Sequence, residues 1–430
     1  MSREPNTLPP EPVEGKHGVS RRGLIGWAGA TTAVGAAAFV GGRASAPSAV
    51  PPTVADGLVA FRGDHQAGIV TPAQDRLHFA AFDVVTSSRD ELVALLTAWT
   101  AAAEQMTTGH TVGDEASYDA PPNDTGDALD LGASNLTITF GFGPTLFEKD
   151  GKDRFGLKAR QPKALRRLPH FSGDQLDAAH SDGDLCIQAC ADDPQVAVHA
   201  IRNLTRIAFG TAVLRWSQLG YGRTSSTSTL QKTPRNLFGF KDGTANLKAE
   251  DPKLLDEHLW VQDGDDPAAS WLAGGSYLVA RQIAMLIEPW DRASLREQEA
   301  VIGRDRRDGA PLSGGGEFAD VDFALTGREG KPLVPVTSHV AVAHPSNNKG
   351  VQMLRRGYNY TDGNDDLGRL DAGLFFICFV RNPDTHYIPM QTAMASKDAL
   401  VEYLQHRRSG LWAVPPGVKS ARHVGQALFS

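Results

Sequence analysis

The chain has 430 residues, 41% hydrophobic and 22% charged, with 44 Gly and 26 Pro spread along it; this composition fits a globular protein of two or three domains and excludes disorder and fibrous repeats. Against 43 Lys and Arg stand 50 Asp and Glu, a net charge of −7, so the basic footprint of a nucleic-acid binder is missing and nucleic acid is excluded as a partner. Three cysteines cannot form a disulfide framework, and Cys186 and Cys190, spaced C-x-x-x-C, match no zinc-knuckle or C-x-x-C-H pattern; they read as small buried residues on one strand.

The first segment is a targeting signal. Ser20-Arg21-Arg22-Gly23 leads into a charge-free, Ala/Gly-rich run from Leu24 to Val40, which is short for a membrane span of about 20 residues. Mild hydrophobicity behind paired arginines resembles a twin-arginine export signal, with small residues at Ala44, Ser45 and Ala46 for cleavage. Residues 1–50 are therefore set apart, and the rest is expected to pass the twin-arginine translocation machinery to the cell envelope, periplasm or exterior. That route carries folded proteins, which raises the expectation of a bound cofactor.

Residues 76–85 read as a buried strand. Ser88 and Glu91 then form a capping box, and Leu92, Leu95, Leu96, Trp99, Ala103 and Met106 share one helical face. Alternation at Leu136, Ile138, Phe140 and Phe142 predicts a second strand, 184–190 a third, and 212–218 a fourth after a helix opened by Asp193-Pro194. The order β-α-β-β-α-β is the ferredoxin-like pattern, an α+β class with helices on one face of an antiparallel sheet.

The second half repeats it, with strands at 276–285, 336–343 and 373–381, helices at 291–302 and 391–405, and a closing strand at 411–414. The Ser/Thr-rich stretch Thr224 to Thr229 reads as a connector. This divides the chain after the signal into an N-terminal domain, 51–225, and a C-terminal one, 226–430.

No H-E-x-x-H, P-loop, G-x-S-x-G or dinucleotide fingerprint is present. Gly239-Phe240-Lys241-Asp242-Gly243 alone would read as a glycine turn with a self-satisfied Asp. Within the string from Thr233 to Asn246, and together with Ser338-His339-Val340 and Met353-Leu354-Arg355-Arg356-Gly357-Tyr358, it resembles the dye-decolourising peroxidase family. Further agreement at His65-Gln66-Ala67-Gly68, Gly183-Asp184-Leu185-Cys186, Gly274-Gly275-Ser276-Tyr277 and Gly373-Leu374-Phe375-Phe376 extends the resemblance along the mature chain, nearest to the exported, twin-arginine-type subgroup.

The resemblance implies duplicated ferredoxin-like units of the dimeric α/β barrel type, with non-covalent haem b in the C-terminal unit. Matched by position, His339 is the iron ligand, with His344 and His386 as rivals. Asp242 is the distal acid/base for hydrogen peroxide and Arg355 the cation that stabilises charge as the O–O bond breaks, in preference to Arg356. Leu374 and Phe376 would line the distal pocket, and Arg281 and Asn246 would contact the cofactor. Glu402, counted back from Pro415-Pro416-Gly417, is expected to orient His339. Two departures stand out: Val340-Ala341 after the histidine, where the family often has arginine, and Gln282 where a second basic residue is frequent.

The expected function is a secreted haem peroxidase that reduces hydrogen peroxide and oxidises aromatic or phenolic, dye-like donors by one-electron steps. The alternative is a haem-binding or iron-release, deferrochelatase-like protein of the cell envelope using the same pocket. Hydrogen peroxide, aromatic reductants, the export machinery and further copies of the chain are the expected partners.

Overall fold

A computed structural model of the protein describes residues 57–114, 116–420 and 423–430; the expected export segment lies outside the described residues. The chain runs β1 (Arg76–Val84), α1 (Arg89–Thr107), β2 (Thr137–Phe142), α2 (Pro144–Phe147), β3 (Leu185–Ala191), α3 (Pro194–Ile207), β4 (Ala212–Arg223), α4 (Pro252–His258) and β5 (Ser276–Met285). It continues with α5 (Ile287–Arg292), α6 (Leu295–Ile302), α7 (His339–Ala343), β6 (Leu354–Arg355), β7 (Tyr358–Asn364), β8 (Leu370–Val380), α8 (Tyr387–Lys397) and β9 (Leu404–Val414).

The strands form one antiparallel sheet in the order β5-β9-β2-β3-β1-β4-β7-β8-β6, and a further pairing of β5 with β8 closes it into a barrel. Two four-stranded units are visible in that ring, β2-β3-β1-β4 and β7-β8-β5-β9, with the same ferredoxin-like order. They are joined where Phe142 on β2 meets Ala413 on β9, and where Tyr221 on β4 meets Asn359 on β7. Closure leaves the ring without free edges.

Alternation along each strand sorts the side chains. Leu77 and Phe79 of β1, Trp216 of β4, Leu278 of β5, Phe375 of β8 and Trp412 of β9 fill the barrel interior, with the Phe79 ring 5.3 Å from Trp216 and 5.4 Å from Trp412. The opposite face of the first unit is covered by α1 and α3. Ser88 Oγ accepts from Glu91 N and starts α1, while Asp193 accepts from Gln195 N and Val196 N and starts α3. Cys186 and Cys190 both lie buried on β3.

The second half departs from the expected elements at several places, among them β7, which was not expected, and β9, which starts at Leu404 rather than at 411. Residues 336–343 are not a strand: Ser338 caps α7, so the alternating Val340 and Val342 belong to one helical turn that ends before Pro345. The helix expected at 291–302 is two, because Ser294 starts a new cap after α5. The helix expected at 391–405 starts earlier, at Tyr387, and stops at the Asp398 cap, after which a 3₁₀ turn leads into β9. The 224–229 connector is buried from Thr224 to Ser228 rather than solvated, because its backbone and hydroxyls bond to the segments carrying Asn246, Glu250 and Arg355.

Candidate active site

On the outer face of the second unit, a cavity of about 230 Å³ opens between β5, β8 and β9 and the helices. Ile283, Met285, Leu374, Phe376, Leu404 and His406 line it from the sheet; His339, Val340 and Ala343 of α7 and Tyr387, Met390 and Met394 of α8 line it from the helices. Asn236, Asp242 and Arg355 close one side.

Asp242 is held on a turn that needs glycine. Gly239 and Gly243 have φ of +81° and +85°, and a Cβ on Gly243 would come within 2.8 Å of the Ser225 Cα, so the turn can seat against the buried 224–229 segment only with hydrogen there. Asp242 N donates to Pro234 O at 3.0 Å. The carboxylate accepts from Arg355 Nη1 at 2.8 Å and from Asn236 Nδ2 at 3.3 Å.

Arg355 is fixed through its backbone. Its N–H donates to Asn246 Oδ1 at 2.7 Å, and its carbonyl accepts from Asn246 Nδ2 at 2.9 Å and Ser225 Oγ at 2.8 Å. Asn246, expected to contact the cofactor, is instead absent from the cavity wall and clamps the strand behind Arg355; its two-sided amide matches a backbone N–H and C=O better than a porphyrin edge. Arg356 is fully buried on the far side, donating to Ile69 O at 3.4 Å and bonded to Thr71 O and Gln74 Oε1.

Facing this pair, His339 is the first residue of α7. Its Nδ1 lies 2.7 Å from Asp398 Oδ2. A carboxylate can only accept, so Nδ1 carries a proton, and in the neutral ring Nε2 keeps the lone pair, with no hydrogen-bond partner among the described residues. Burial opposes charge on the imidazole, but the Asp398 carboxylate outweighs it and raises the ring's basicity, with Asp242 adding to the effect and Arg355 opposing it. Asp398 is itself fixed: its side chain is 1% exposed and Oδ1 accepts from Leu400 N at 2.9 Å.

Glu402 is thus not the orienting acid. It lies exposed within the 3₁₀ turn, whereas Asp398, four residues earlier at the end of α8, reaches the histidine. A requirement for a carboxylate at a helix stop would have found it. His344 also lines the cavity, but its Nδ1 is turned to Ser346 Oγ at 2.8 Å. His386 pairs with His258 at 3.4 Å and lies outside the lining.

The site fits a flat, apolar group with an iron centre and acidic edges. The walls are mainly Leu, Ile, Phe, Met and Val, and a histidine with a free Nε2 opens into them. Arg281 is fully buried on the same face of β5 as Ile283, opposite Phe376, and is paired with Asp174. Its Nε and Nη1 have no partner. Arg281 is not part of the cavity lining, but buried guanidinium donors left unmet next to a lining residue, Ile283, suit a carboxylate. Burial and the neighbouring Arg281 push His406, on the adjacent strand, down to about 3, so it is neutral there. Arg304, part of the cavity wall and donating from Nη1 to Gly309 O at 2.7 Å and Glu317 O at 2.8 Å, was not singled out from the sequence.

Comparison with known proteins agrees with this geometry. The profile described as Dyp-type peroxidase, N-terminal matches residues 66–222, and that described as Dyp-type peroxidase, C-terminal matches 233–419. Deferrochelatase of Escherichia coli O157:H7 is 36% identical over 427 residues, 97% of this chain and 99% of that protein. Ferric DtpA from Streptomyces lividans is 40% identical with a TM-score of 0.79, covering 89% of this chain and all of that one, 100%. A DyP-type peroxidase from Cellulomonas bogoriensis is 38% identical, TM-score 0.76, over 87% and 98%. A DypB variant from Rhodococcus jostii in complex with heme shares the fold, TM-score 0.59 at 19% identity, over 85% and 97%.

Proposed function

The chain belongs to the Dyp-type peroxidase family, and from that premise we propose that its C-terminal cavity holds a non-covalent haem b on His339 and uses it to reduce hydrogen peroxide at the expense of aromatic or phenolic, dye-like donors. The observation that carries this reading is the pairing across one cavity: Asp242 with Arg355 at 2.8 Å on one side, His339 with Asp398 at 2.7 Å on the other. Haem, when bound, supplies the metal centre for peroxide and the store of oxidising equivalents.

The chain's own residues do the rest. His339 Nε2 offers its lone pair from the proximal side, and the Asp398 carboxylate keeps the ring in the tautomer that allows this. Arg281, two residues from Ile283 on β5 and with no hydrogen-bond partner for Nε and Nη1 among the described residues, would receive a propionate. Asp242 takes the proton from one peroxide oxygen and returns it to the departing one, which leaves as water. Arg355, always charged, stabilises the negative charge that builds on the departing oxygen. Two donor molecules each give one electron, and two protons complete the second water.

A second reading has its own support, the 36% identity to a deferrochelatase over 97% of the chain: release of iron from haem in the same pocket. The two are separated by the products. With haem loaded, native protein is expected to consume peroxide with donor oxidation, and Asp242→Asn or Arg355→Leu to lose this while keeping the haem spectrum. Peroxide-independent appearance of free iron and intact porphyrin, unchanged in those variants, would favour the second reading. Residues 1–50 serve as a twin-arginine export signal in either case; Arg21→Lys with Arg22→Lys is expected to hold the protein in the cytoplasm, and export of that variant would contradict the assignment.

A further inference from the structure

Six methionines occur in the chain, and four of them, Met285, Met353, Met390 and Met394, line this one cavity. Of the other two, Met106 is buried in the core of the first unit, and Met1 lies outside the described residues. Leucine would supply the same apolar volume, as it does at Leu374 and Leu404, but methionine adds a polarisable thioether that peroxide oxidises. The cavity is where the family's oxidant arrives.

The four sulfurs differ in access. Met285 and Met390 are 4% and 7% exposed, whereas Met353 and Met394 are half-buried. Met394 stands one helical turn before Asp398 on α8 and belongs to the His339 side. Met353 directly precedes β6, two residues before Arg355. Leu354 between them is packed into the barrel interior, so alternation turns Met353 and Arg355 both to the cavity.

We propose that Met353 is a site of peroxide-driven sulfoxidation that limits the working life of the enzyme. This rests on the assignment of Asp242 and Arg355 as the peroxide site. The sulfur lone pair attacks one oxygen of hydrogen peroxide, an S–O bond forms and the O–O bond breaks. Both electrons come from sulfur, and the departing hydroxide takes the proton left on the transferred oxygen, giving the sulfoxide and one water. The new S=O is a strong acceptor on the segment that carries Arg355 and competes with Asp242 for the guanidinium, which lowers peroxide cleavage.

The test is peptide mass mapping of the haem-loaded full chain during peroxide turnover with limiting donor, alongside the haem-free chain at equal peroxide and the loaded Asp242→Asn and Met353→Leu variants. The expected result is one added oxygen on Met353 ahead of Met394, rising with peroxide consumed, with Met106 unmodified. Because the oxidant is peroxide held by Asp242 and Arg355, that preference should persist in the haem-free chain and be lost in Asp242→Asn, and Met353→Leu should complete several-fold more turnovers before inactivation. Turnover that leaves Met353 unmodified, or a Met353→Leu chain that fails after as many turnovers as the native one, would overturn the inference and leave the peroxidase assignment standing. A loaded native chain that shows no turnover and no preference among its methionines would overturn both.

Discussion

The two ferredoxin-like units share one strand order, yet their helix sides are built differently. In the first, α1 and α3 lie directly on the sheet: Trp99 packs 5.3 Å from Phe82 and 5.8 Å from Phe140, and its indole N–H donates to Leu204 O at 2.7 Å. In the second, α5, α6 and α7 are short, 6, 8 and 5 residues, and the space above β5, β8 and β9 is left as the cavity. The same sheet frame therefore supports a packed core in one copy and a site in the other, according to how close the helix layer comes. Substitutions in the first unit should act on stability and those in the second on haem and chemistry.

The sharpest break between the units is expected at the distal pair. Asp242→Asn or Arg355→Leu should lower turnover by about 10²–10⁴-fold with haem still bound and the unfolding midpoint little changed; steady-state kinetics beside a haem titration would show it. The mirror experiment is Trp99→Ala, which should cost about 3–5 kcal/mol of stability through the cavity it leaves, read in denaturant unfolding, while the folded fraction keeps its haem affinity. Loss of haem affinity in that variant would show that the units are not separable in this way.

A smaller effect is expected behind the ligand. Asp398→Asn keeps the shape but weakens the hold on His339, and should lower haem affinity or activity about 10–100-fold, whereas Glu402→Gln should change neither. The last effect concerns stability at low pH and leaves haem and chemistry at neutral pH unchanged. Burial, with His258 next to it, pulls His386 down to about 4 from 6.5, and burial also lowers His258. A histidine with a lowered folded pKa binds fewer protons folded than unfolded, so stability is lost as pH falls from about 6.5 toward 4. The loss from His386 should be about 3 kcal/mol, His78 and His406, lowered by burial in the same way, add theirs, and His386→Gln should reduce the pH dependence of Tm in that window by its own share.

The first unit was legible because its signals are local. The Ser88 capping box, the Leu92-to-Met106 face and the Asp193-Pro194 start are each carried by neighbours within a few residues, and the elements lie within a residue or two of their expected bounds, except that β4, expected to end at 218, runs on to Arg223. In the second unit, Val340 and Val342 alternate as a strand would, and only the Ser338 cap and the contact with α8 make the segment a helix. Counting back from Pro415-Pro416-Gly417 led to Glu402, but which carboxylate meets His339 depends on where α8 stops, a tertiary fact that selects Asp398. The hydroxyls from Thr224 to Ser228 look solvated in sequence, and their burial follows from partners more than 100 residues away, such as Arg355. The distal and proximal residues themselves were legible only through motif resemblance, since no spacing rule joins Asp242, His339 and Arg355.

The central claim is that the second unit's cavity holds haem on His339. The direct measurement is a haem titration of the native chain and of His339→Ala followed by absorption and electron paramagnetic resonance. The account predicts one haem per chain with a histidine-ligated ferric spectrum in the native protein, and loss of that spectrum in the variant. A histidine-ligated spectrum that survives in His339→Ala would place the iron elsewhere and contradict the account.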